Sequence, residues 1–278
     1  MKIAVAGLGL IGGSFYKASL KAGYDTIGLH HDDTDGFGQA DIVIVAQPPE
    51  AIVPWIKRNA AMFKPGALVI DICGVKEPIC REMQHFLSSP ESSGRFFFVG
   101  GHPMAGREVA GYENSLADLF VGASMIITPF DNTPVDVVEL LKAYFKSIGF
   151  AMTVVTTPRR HDEMIAFTSQ LCHIISTAFA RDARVKDAID FSAGSYADMT
   201  RIATQNANDW CALYESNRGA LLAVLDGFIA RMDEFRQALA GGDSVSIKRF
   251  IAEGTAAKQE ELSRRQISVR RGDEPYRG

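Results

Sequence analysis

MKIAVAGLGLIGGSF, residues 1–15, joins a strand-like apolar run to a glycine-rich turn and to the start of a helix. Gly7, Gly9 and Gly12 form the pattern G-x-G-x-x-G, which binds dinucleotides where it follows a strand and opens a helix. Glycines there permit a tight turn and let the backbone approach a pyrophosphate at the helix N-terminus. An ordinary glycine-rich turn is the alternative, and the place of the motif at the start of an α/β half favours the nucleotide site. The predicted cofactor-binding residues of this turn are Gly7, Leu8, Gly9, Leu10, Ile11 and Gly12.

Seven short β-rich apolar runs alternate with helical stretches as far as about residue 157. They read KIAVAGL, DTIGLH, ADIVIVAQ, ALVIDIC, FFFVGGH, SMIITP and AMTVVTT. This alternation predicts an α/β fold, with a Rossmann-type, doubly wound and mainly parallel sheet between helices on both faces. Beyond it the apolar residues recur at helical spacing, which predicts an all-helical second part. We therefore expect a dinucleotide-binding domain at 1–155 and a helical substrate and dimerisation domain at 156–278.

Two further strand ends extend the predicted cofactor site. The second strand ends near His30 and His31, with Asp32 and Asp33 just beyond, so the sequence leaves both NAD and NADP open as cofactors. The segment that follows is too short for a full crossover of about 10–12 residues, which predicts a shortened or missing helix.

The third strand ends at Gln47 and Pro48. These two residues either line the cofactor or form an ordinary strand-to-helix turn.

GGHPMAG, residues 100–106, follows the apolar run FFFV and places His102 at the carboxyl end of a strand. Doubly wound sheets bind their ligands at this edge. We expect the flanking glycines and Pro103 to bend the backbone into a shaped loop. Histidine takes up a proton near neutral pH, so His102 is the predicted general base. The alternative is a histidine that only caps a loop by hydrogen bonding.

Composition and charge argue against several other classes of protein. The chain has 278 residues with a formal net charge of −4 and scattered Lys and Arg, so we expect no nucleic-acid partner. Met1 leads straight into a strand, and no apolar run approaches the length of a membrane span, so we expect a cytoplasmic protein without a membrane partner. Cys73, Cys80, Cys172 and Cys211 show no metal-binding spacing. They are expected to remain free thiols, and no metal site is expected.

Motifs over nearly the whole chain resemble those of the prephenate dehydrogenase family, including its arogenate-using relatives. They are GLGLIGGS, DICGVK and GGHPMAG in the first half, then HDEMIAFTSQLCH and DMTRIA, with Trp210 nine residues after Arg201. The resemblance implies oxidative decarboxylation of prephenate to 4-hydroxyphenylpyruvate in tyrosine biosynthesis, with NAD or NADP as cofactor. It also implies that His102 hydrogen-bonds the ring hydroxyl and accepts its proton as hydride leaves.

The resemblance implies the substrate-binding residues as well. Arg201 matches the family's carboxylate-binding arginine, and His173 matches the histidine that contacts the pyruvyl side chain. Gly194 and Trp210 lie at family positions near the substrate, with Trp210 a candidate contribution from a second subunit. From the residues alone, a surface role is the more common one for Arg201, a core role competes for His173, and an interface core competes for Trp210.

The chain departs from the family pattern at three positions. Gly74, near the substrate in CGVK, replaces the serine of a GSVK-like turn, which removes a hydroxyl that would bond both the histidine and the substrate. Gln170 and Cys172 replace the first histidine and the proline of the usual SHLPH. Nearby, Lys76 is expected to be a solvated lysine at a helix start, with attraction of an anion as the alternative.

Other functions remain open at this point. An arogenate dehydrogenase would share all of these motifs, and a non-catalytic dinucleotide-binding sensor would explain Gly74 and the missing crossover helix. A β-hydroxyacid dehydrogenase would be expected to place a catalytic lysine on the helix after the sheet, and HDEMIAFTSQLCH contains none. We also expect a homodimer through the helical domain, because long amphipathic helices without a covering layer need a partner surface.

Overall fold

The computed structural model describes residues 1–29, 36–89, 92, 95–107 and 109–270, without the side chains of residues 189 and 265–270. A seven-stranded sheet forms the first half of the chain. Its strands are β1 (Lys2–Ala6), β2 (Asp25–Leu29), β3 (Ile42–Val45), β4 (Ala67–Asp71), β5 (Phe96–Pro103), β6 (Ser124–Thr128) and β7 (Met152–Val155). The order is β2-β1-β3-β4-β5-β6-β7, with the first five strands parallel, β6 antiparallel to β5, and β7 parallel to β6. The predicted Rossmann-type sheet is confirmed.

Helices cover both faces of the sheet because successive strand residues point to opposite sides and both sides are buried. In β3, Ile42 and Ile44 join one core cluster, and Val43 and Val45 join the other. The helices α1 (Leu10–Lys21) and α4 (Val135–Ser147) pack on the first face, and α2 (Pro49–Asn59) and α3 (Glu77–Leu87) on the second.

The crossover between β2 and β3 is short, as the sequence predicts. Among its described residues, 36–41, the structure contains the 3₁₀ helix Phe37–Gln39 and no α-helix. Phe37 is fully buried and contacts the rings of Trp55 and Phe63, so this turn still closes the core below it. His30 and His31 lie outside the described residues.

The second half of the chain is helical, as predicted. Its helices are α5 (Pro158–Ile165), α6 (Leu171–Ala180), α7 (Gly194–Thr200), α8 (Ala207–Ser216), α9 (Arg218–Ala240) and α10 (Ser244–Arg270), and the π-helical segment Ala166–Gln170 joins α5 to α6. Helix α5 begins where Pro158 follows Thr157, whose side chain accepts a hydrogen bond from the Arg160 N–H. The last strand ends at Val155, just before this helical part begins.

The strand β5 extends beyond its neighbour β4 and carries His102 above the sheet. Gly100 pairs with Asp71, the last residue of β4, and residues 101–103 pair only with β6. The expectation of a glycine bend here is wrong, because residues 100–103 continue the strand. Close packing requires the glycines instead: a Cβ on Gly100 would lie 2.8 Å from Cys80 Sγ, and one on Gly101 would lie 2.7 Å from the Asp71 carbonyl oxygen.

Three further features of the described residues bear on the sequence expectations. No described helix is both long and apolar enough to cross a bilayer. No described group of three or more His, Cys, Asp or Glu side chains could hold a metal ion. The four cysteines are free, with Cys73 and Cys80 buried and Cys172 and Cys211 exposed.

Candidate active site

A cavity of about 590 Å³ lies at the carboxyl edge of the sheet, where the helical half meets β5 and the start of α1. Doubly wound sheets bind ligands at this edge. The structure brings six of the residues predicted for the site to the cavity wall, namely Leu10, Ile11, Gly74, His102, His173 and Trp210.

His102 belongs to a hydrogen-bonded series of side chains that crosses from β5 to α5. Its Nδ1 lies 2.9 Å from Nε2 of His161, and Nδ1 of His161 lies 2.6 Å from Oδ1 of Asp162. The Asp162 carboxylate also accepts hydrogen bonds from the backbone N–H groups of Lys76 and Glu77, both at 2.8 Å. His161 and Asp162 are buried, whereas His102 is half-buried beside the cavity.

Both imidazoles are neutral at neutral pH. Burial lowers the pKa of His102 well below its usual range, and the neighbouring His161 and Lys76 lower it further. Burial also lowers the pKa of His161, although the hydrogen bond to Asp162 acts in the opposite direction. His102 therefore presents an unprotonated imidazole that could accept a proton from a ligand in the cavity.

Lys76 is completely buried and forms an ion pair with Asp71, the last residue of β4. The expectation of a solvated lysine is wrong because α5 and the glycines of β5 cover the start of α3. Burial raises the pKa of Asp71, and the Lys76 ammonium opposes that rise. Asp71 also accepts a hydrogen bond from the Cys73 N–H at 3.0 Å. The pair places a positive charge near His102 without exposing it to the cavity.

Gly74 lies on the cavity wall beside His102. A Cβ at this position would lie 3.8 Å from Nε2 of His102 and 3.4 Å from Cδ2 of Leu213, both ordinary contact distances. The backbone of Gly74 is not left-handed, so the turn accepts a side chain. A serine here would have its hydroxyl close to Nε2 of His102, and glycine leaves that space open.

His173 and Trp210 form the helical side of the cavity. Their ring centroids are 3.9 Å apart. Nδ1 of His173 lies 3.0 Å from the Ile202 carbonyl oxygen. A carbonyl oxygen only accepts, so Nδ1 of His173 carries the hydrogen of this bond.

Gln170 replaces a family histidine without leaving a polar group unpaired. It is buried in the π-helical segment, where its Nε2 donates to the Leu213 carbonyl oxygen at 3.3 Å. Its Oε1 accepts from Nδ2 of Asn217 at 2.8 Å. These two bonds join the π-helical segment to α8 and the start of α9.

Arg201 and Gly194 do not line this cavity. Gly194 begins α7 and Arg201 begins a 3₁₀ helix, Arg201–Ala203, and both are exposed. Their roles toward the substrate stay predictions. Among the described residues that line the cavity, the one arginine or lysine is Arg107, whose Nη1 donates to the Asn114 carbonyl oxygen at 3.3 Å.

The turn between β1 and α1 fits the pyrophosphate of a dinucleotide. A Cβ on Gly7 would overlap the Ala46 carbonyl oxygen, and one on Gly12 would overlap that of Gly7, whereas Gly9 faces open space. No described side chain caps α1, and its first turn has no acidic residue. The N–H groups at this helix end are therefore available to phosphate oxygens.

The other predicted cofactor residues lie close to this turn. Nε2 of Gln47 donates to the Ala6 carbonyl oxygen at 3.4 Å, and Pro48 is exposed at the start of α2. Leu8 packs toward β2, since a Cβ on Gly28 would lie 2.9 Å from its Cδ1. Contact of these residues with a cofactor stays a prediction.

The sequence motifs predict no role for two residues of the site, His161 and Asp162. A signal for them exists in the helical spacing. They lie four residues before the buried Ile165 and Ala166, which places both polar side chains on the buried side of α5. Two adjacent polar residues on a buried helix face need partners, and the contact with His102 supplies one.

Two family models match the chain. One is "Prephenate dehydrogenase, nucleotide-binding domain" over residues 14–154, and the other is "Prephenate dehydrogenase, dimerization domain" over residues 157–253.

Individual relatives extend over most of the chain. It is 28% identical to a cyclohexadienyl dehydrogenase of Zymomonas mobilis, over 92% of this chain and 94% of that protein. It is 28% identical to a prephenate dehydrogenase of Bacillus subtilis, over 90% of this chain and 73% of that protein. Its fold is similar to that of an Aquifex aeolicus prephenate dehydrogenase solved with hydroxyphenyl propionate and NAD+, with a TM-score of 0.78, 22% identity, and coverage of 94% of this chain and 98% of that chain.

Proposed function

This chain belongs to the prephenate dehydrogenase family, and on that premise we propose that it oxidises and decarboxylates prephenate to 4-hydroxyphenylpyruvate. The observation that carries the proposal is the placement of His102. A neutral histidine beside the cavity, at the carboxyl edge of a nucleotide-binding sheet, suits removal of a proton from a substrate hydroxyl. The cofactor would bind at the turn formed by Gly7, Gly9 and Gly12, with NAD and NADP both compatible with the described residues.

In the proposed reaction, Nε2 of His102 accepts the proton of the ring hydroxyl. A nicotinamide cofactor, when bound, would supply the acceptor for the hydride that leaves the hydroxyl-bearing carbon. The electron pair of the bond to the ring carboxylate then enters the ring as CO2 departs, and the ring becomes aromatic. His102 returns its proton to the phenolate oxygen, so that the residue starts and ends the cycle neutral.

The substrate is a dicarboxylate, and burying its charges requires cations or strong hydrogen-bond donors. We assign contact with the side-chain keto acid to His173, which lies on the cavity wall. We assign the carboxylates to Arg201, on its match to the family motif, and to Arg107, on its place at the cavity. We also propose that Gly194, like Arg201, lies near the bound substrate.

We further propose that the protein acts in the cytoplasm as a homodimer assembled through its helical half. The match of residues 157–253 to a dimerisation domain supports the homodimer. The free state of all four cysteines suits a reducing compartment. The domain boundary after residue 155 is retained as part of this proposal.

The test is an assay of the purified protein with prephenate or arogenate, each paired with NAD or NADP, following the absorbance of the reduced cofactor. We expect turnover with prephenate, and a higher kcat/KM for prephenate than for arogenate. A higher kcat/KM for arogenate would reverse the choice of substrate. Cofactor binding without turnover on either substrate would favour the sensor alternative and overturn the proposed activity.

A further inference from the structure

We propose that Asp162 and His161 are positioning residues that fix His102 as its Nδ1–H tautomer and so leave Nε2 as the proton-accepting atom. The inference rests on the proposed function for its catalytic meaning. Its structural content, the tautomer of His102, stands on the hydrogen bonds of the described residues alone.

The direction of these hydrogen bonds is set at Asp162. Two backbone N–H groups, which can only donate, point at its carboxylate from Lys76 and Glu77. Oδ1 accepts the first of these and also lies 2.6 Å from Nδ1 of His161. An ionised carboxylate accepts only, so Nδ1 of His161 carries the hydrogen.

The same argument determines which nitrogen of His102 donates. A neutral imidazole with hydrogen on Nδ1 has an acceptor at Nε2. Nε2 of His161 lies 2.9 Å from Nδ1 of His102, so His102 donates from Nδ1. The opposite arrangement would set the unprotonated Nδ1 of His161 against a carboxylate oxygen, two acceptors within hydrogen-bond distance.

The atom of His102 left without hydrogen lies toward the cavity. Nε2 would be 3.8 Å from a Cβ placed on Gly74, which lines the cavity wall. A substrate hydroxyl in the cavity would therefore meet a lone pair. When Nε2 takes the proton, Nδ1 keeps its hydrogen bond to His161, whose far side is held by the Asp162 carboxylate.

Other charged groups around His102 enter any pH dependence. They are Lys76 and Asp71 at the start of α3 and the end of β4, Asp162 on α5, and Arg107, Asp209 and His173 around the cavity. None of them forms a described hydrogen bond with His102 itself, so of these groups only Asp162 acts on the tautomer, through its hydrogen bond to His161.

The first test measures the tautomer directly. The protein is labelled with ¹⁵N-histidine, and the ring nitrogens of His102 are assigned by comparison with His102→Asn among the six histidines. We expect hydrogen on Nδ1 and an unprotonated Nε2 at neutral pH. Hydrogen on Nε2 in the unaltered protein would overturn the inference, whatever the variants do.

The second test uses His161→Gln and His161→Leu, with the same two substitutions at the exposed His85 as matched controls. Gln keeps an oxygen acceptor for the Nδ1 hydrogen of His102, whereas Leu removes it. We expect His161→Leu to populate the Nε2–H tautomer and to lower kcat by about 10-fold to 10³-fold, less than loss of the base itself. KM should change less than about threefold, and His161→Gln should recover most of kcat and the Nδ1–H tautomer.

The outcomes separate this inference from the proposed function. If the unaltered protein turns over no cyclohexadienyl substrate but shows the Nδ1–H tautomer, the proposed activity fails and the positioning network stands. If it turns over prephenate while His161→Leu, folded by its melting temperature, matches the His85 controls in kcat, the positioning role is wrong. A loss of activity in His161→Gln equal to that in His161→Leu would also contradict it.

Discussion

At the scale of single residues, His102 gains its reactivity from burial and from its neighbours. Its pKa lies well below the usual histidine value, because burial disfavours the charged form and His161 and Lys76 add to that effect. A general base must be unprotonated. Activity is therefore retained at pH values above this lowered pKa and is lost as the pH falls through it. We expect kcat/KM to stay level from neutral pH to below about 6.5 and then to decline on the acid side. The decline on the acid side reports an apparent pKa of the His102 and His161 pair together, because the two imidazoles are hydrogen-bonded to each other. A pH profile of kcat/KM measures this decline.

Replacing His102 tests the same role without changing pH. His102→Asn keeps a hydrogen-bonding group but cannot take the proton, so kcat should fall by about 10²-fold to 10⁴-fold. Cofactor affinity, measured by titration of intrinsic fluorescence, should hardly change because the proposed pyrophosphate site lies at the turn after β1. A variant that retains more than a tenth of kcat and the acid limb would show that another group accepts the proton.

Gly74 offers a gain rather than a loss of activity. The backbone there accepts a side chain, and the Cβ of a serine would lie 3.8 Å from Nε2 of His102, which brings its hydroxyl close to the proposed base. A positioned hydrogen bond to a charged group contributes about 1.5–3 kcal/mol, so Gly74→Ser should raise kcat by about tenfold or more. Gly74→Ala is the matched control, since it adds the same carbon without the hydroxyl. Equal kcat values for the two variants would mean that the missing hydroxyl does not limit turnover.

The identity of the base could be predicted from sequence, but its surroundings could not. His102 follows an apolar strand, and strand ends are visible in a single sequence. Lys76 looked like an exposed helix-start residue because nothing in its local sequence shows that α5 covers it. His161 meets His102 across 59 residues of chain, a contact that depends on how the two halves pack.

At the scale of elements, β5 shows how glycines allow a strand to pack closely beside the site. Its two glycines let the strand lie against the Asp71 and Lys76 pair. In Gly101→Ala, the new Cβ would lie 2.7 Å from the Asp71 carbonyl oxygen, a backbone atom that cannot rotate away. We expect a loss of about 1–3 kcal/mol in the free energy of unfolding, measured by urea denaturation.

Gly106→Ala is the control for that experiment, because a Cβ on Gly106 meets nothing within 4 Å. Its free energy of unfolding should change by less than about 0.5 kcal/mol. Equal stability of the two variants would mean that β5 shifts to admit a side chain, and that close packing does not explain its glycines.

The elements themselves were largely predictable, since seven apolar runs became seven strands. The runs of the central strands, such as β3, are buried on both faces, so their composition differs sharply from the turns around them. The antiparallel pairing of β6 with β5 was not visible, because an apolar run carries no direction. The π-helical segment 166–170 was also missed, since its residues fit an ordinary helix equally well.

At the scale of the whole molecule, the two halves meet to form one cavity. The first half supplies His102 and the start of α1, and the helical half supplies His173 and Trp210. The sequence could predict each half from its own periodicity. Only the packing of one half on the other reveals that Arg107 lies on the cavity while Arg201 does not.

The same scale carries the prediction of a homodimer. On α9, the apolar residues Leu222, Ile229, Met232 and Leu239 are about half exposed, and their spacing of seven, three and seven residues places them on one side of the helix. Such a stripe on a folded chain is typical of a surface that a partner covers. We expect the protein to have twice the mass of one chain by light scattering, and Ile229→Asp combined with Met232→Asp to shift it to a single chain. Val135→Asp, at an exposed apolar residue on α4 in the other half, should leave the dimer intact. A single-chain mass for the unaltered protein at all concentrations would refute the homodimer, and a dimeric double variant would locate the interface elsewhere than this side of α9.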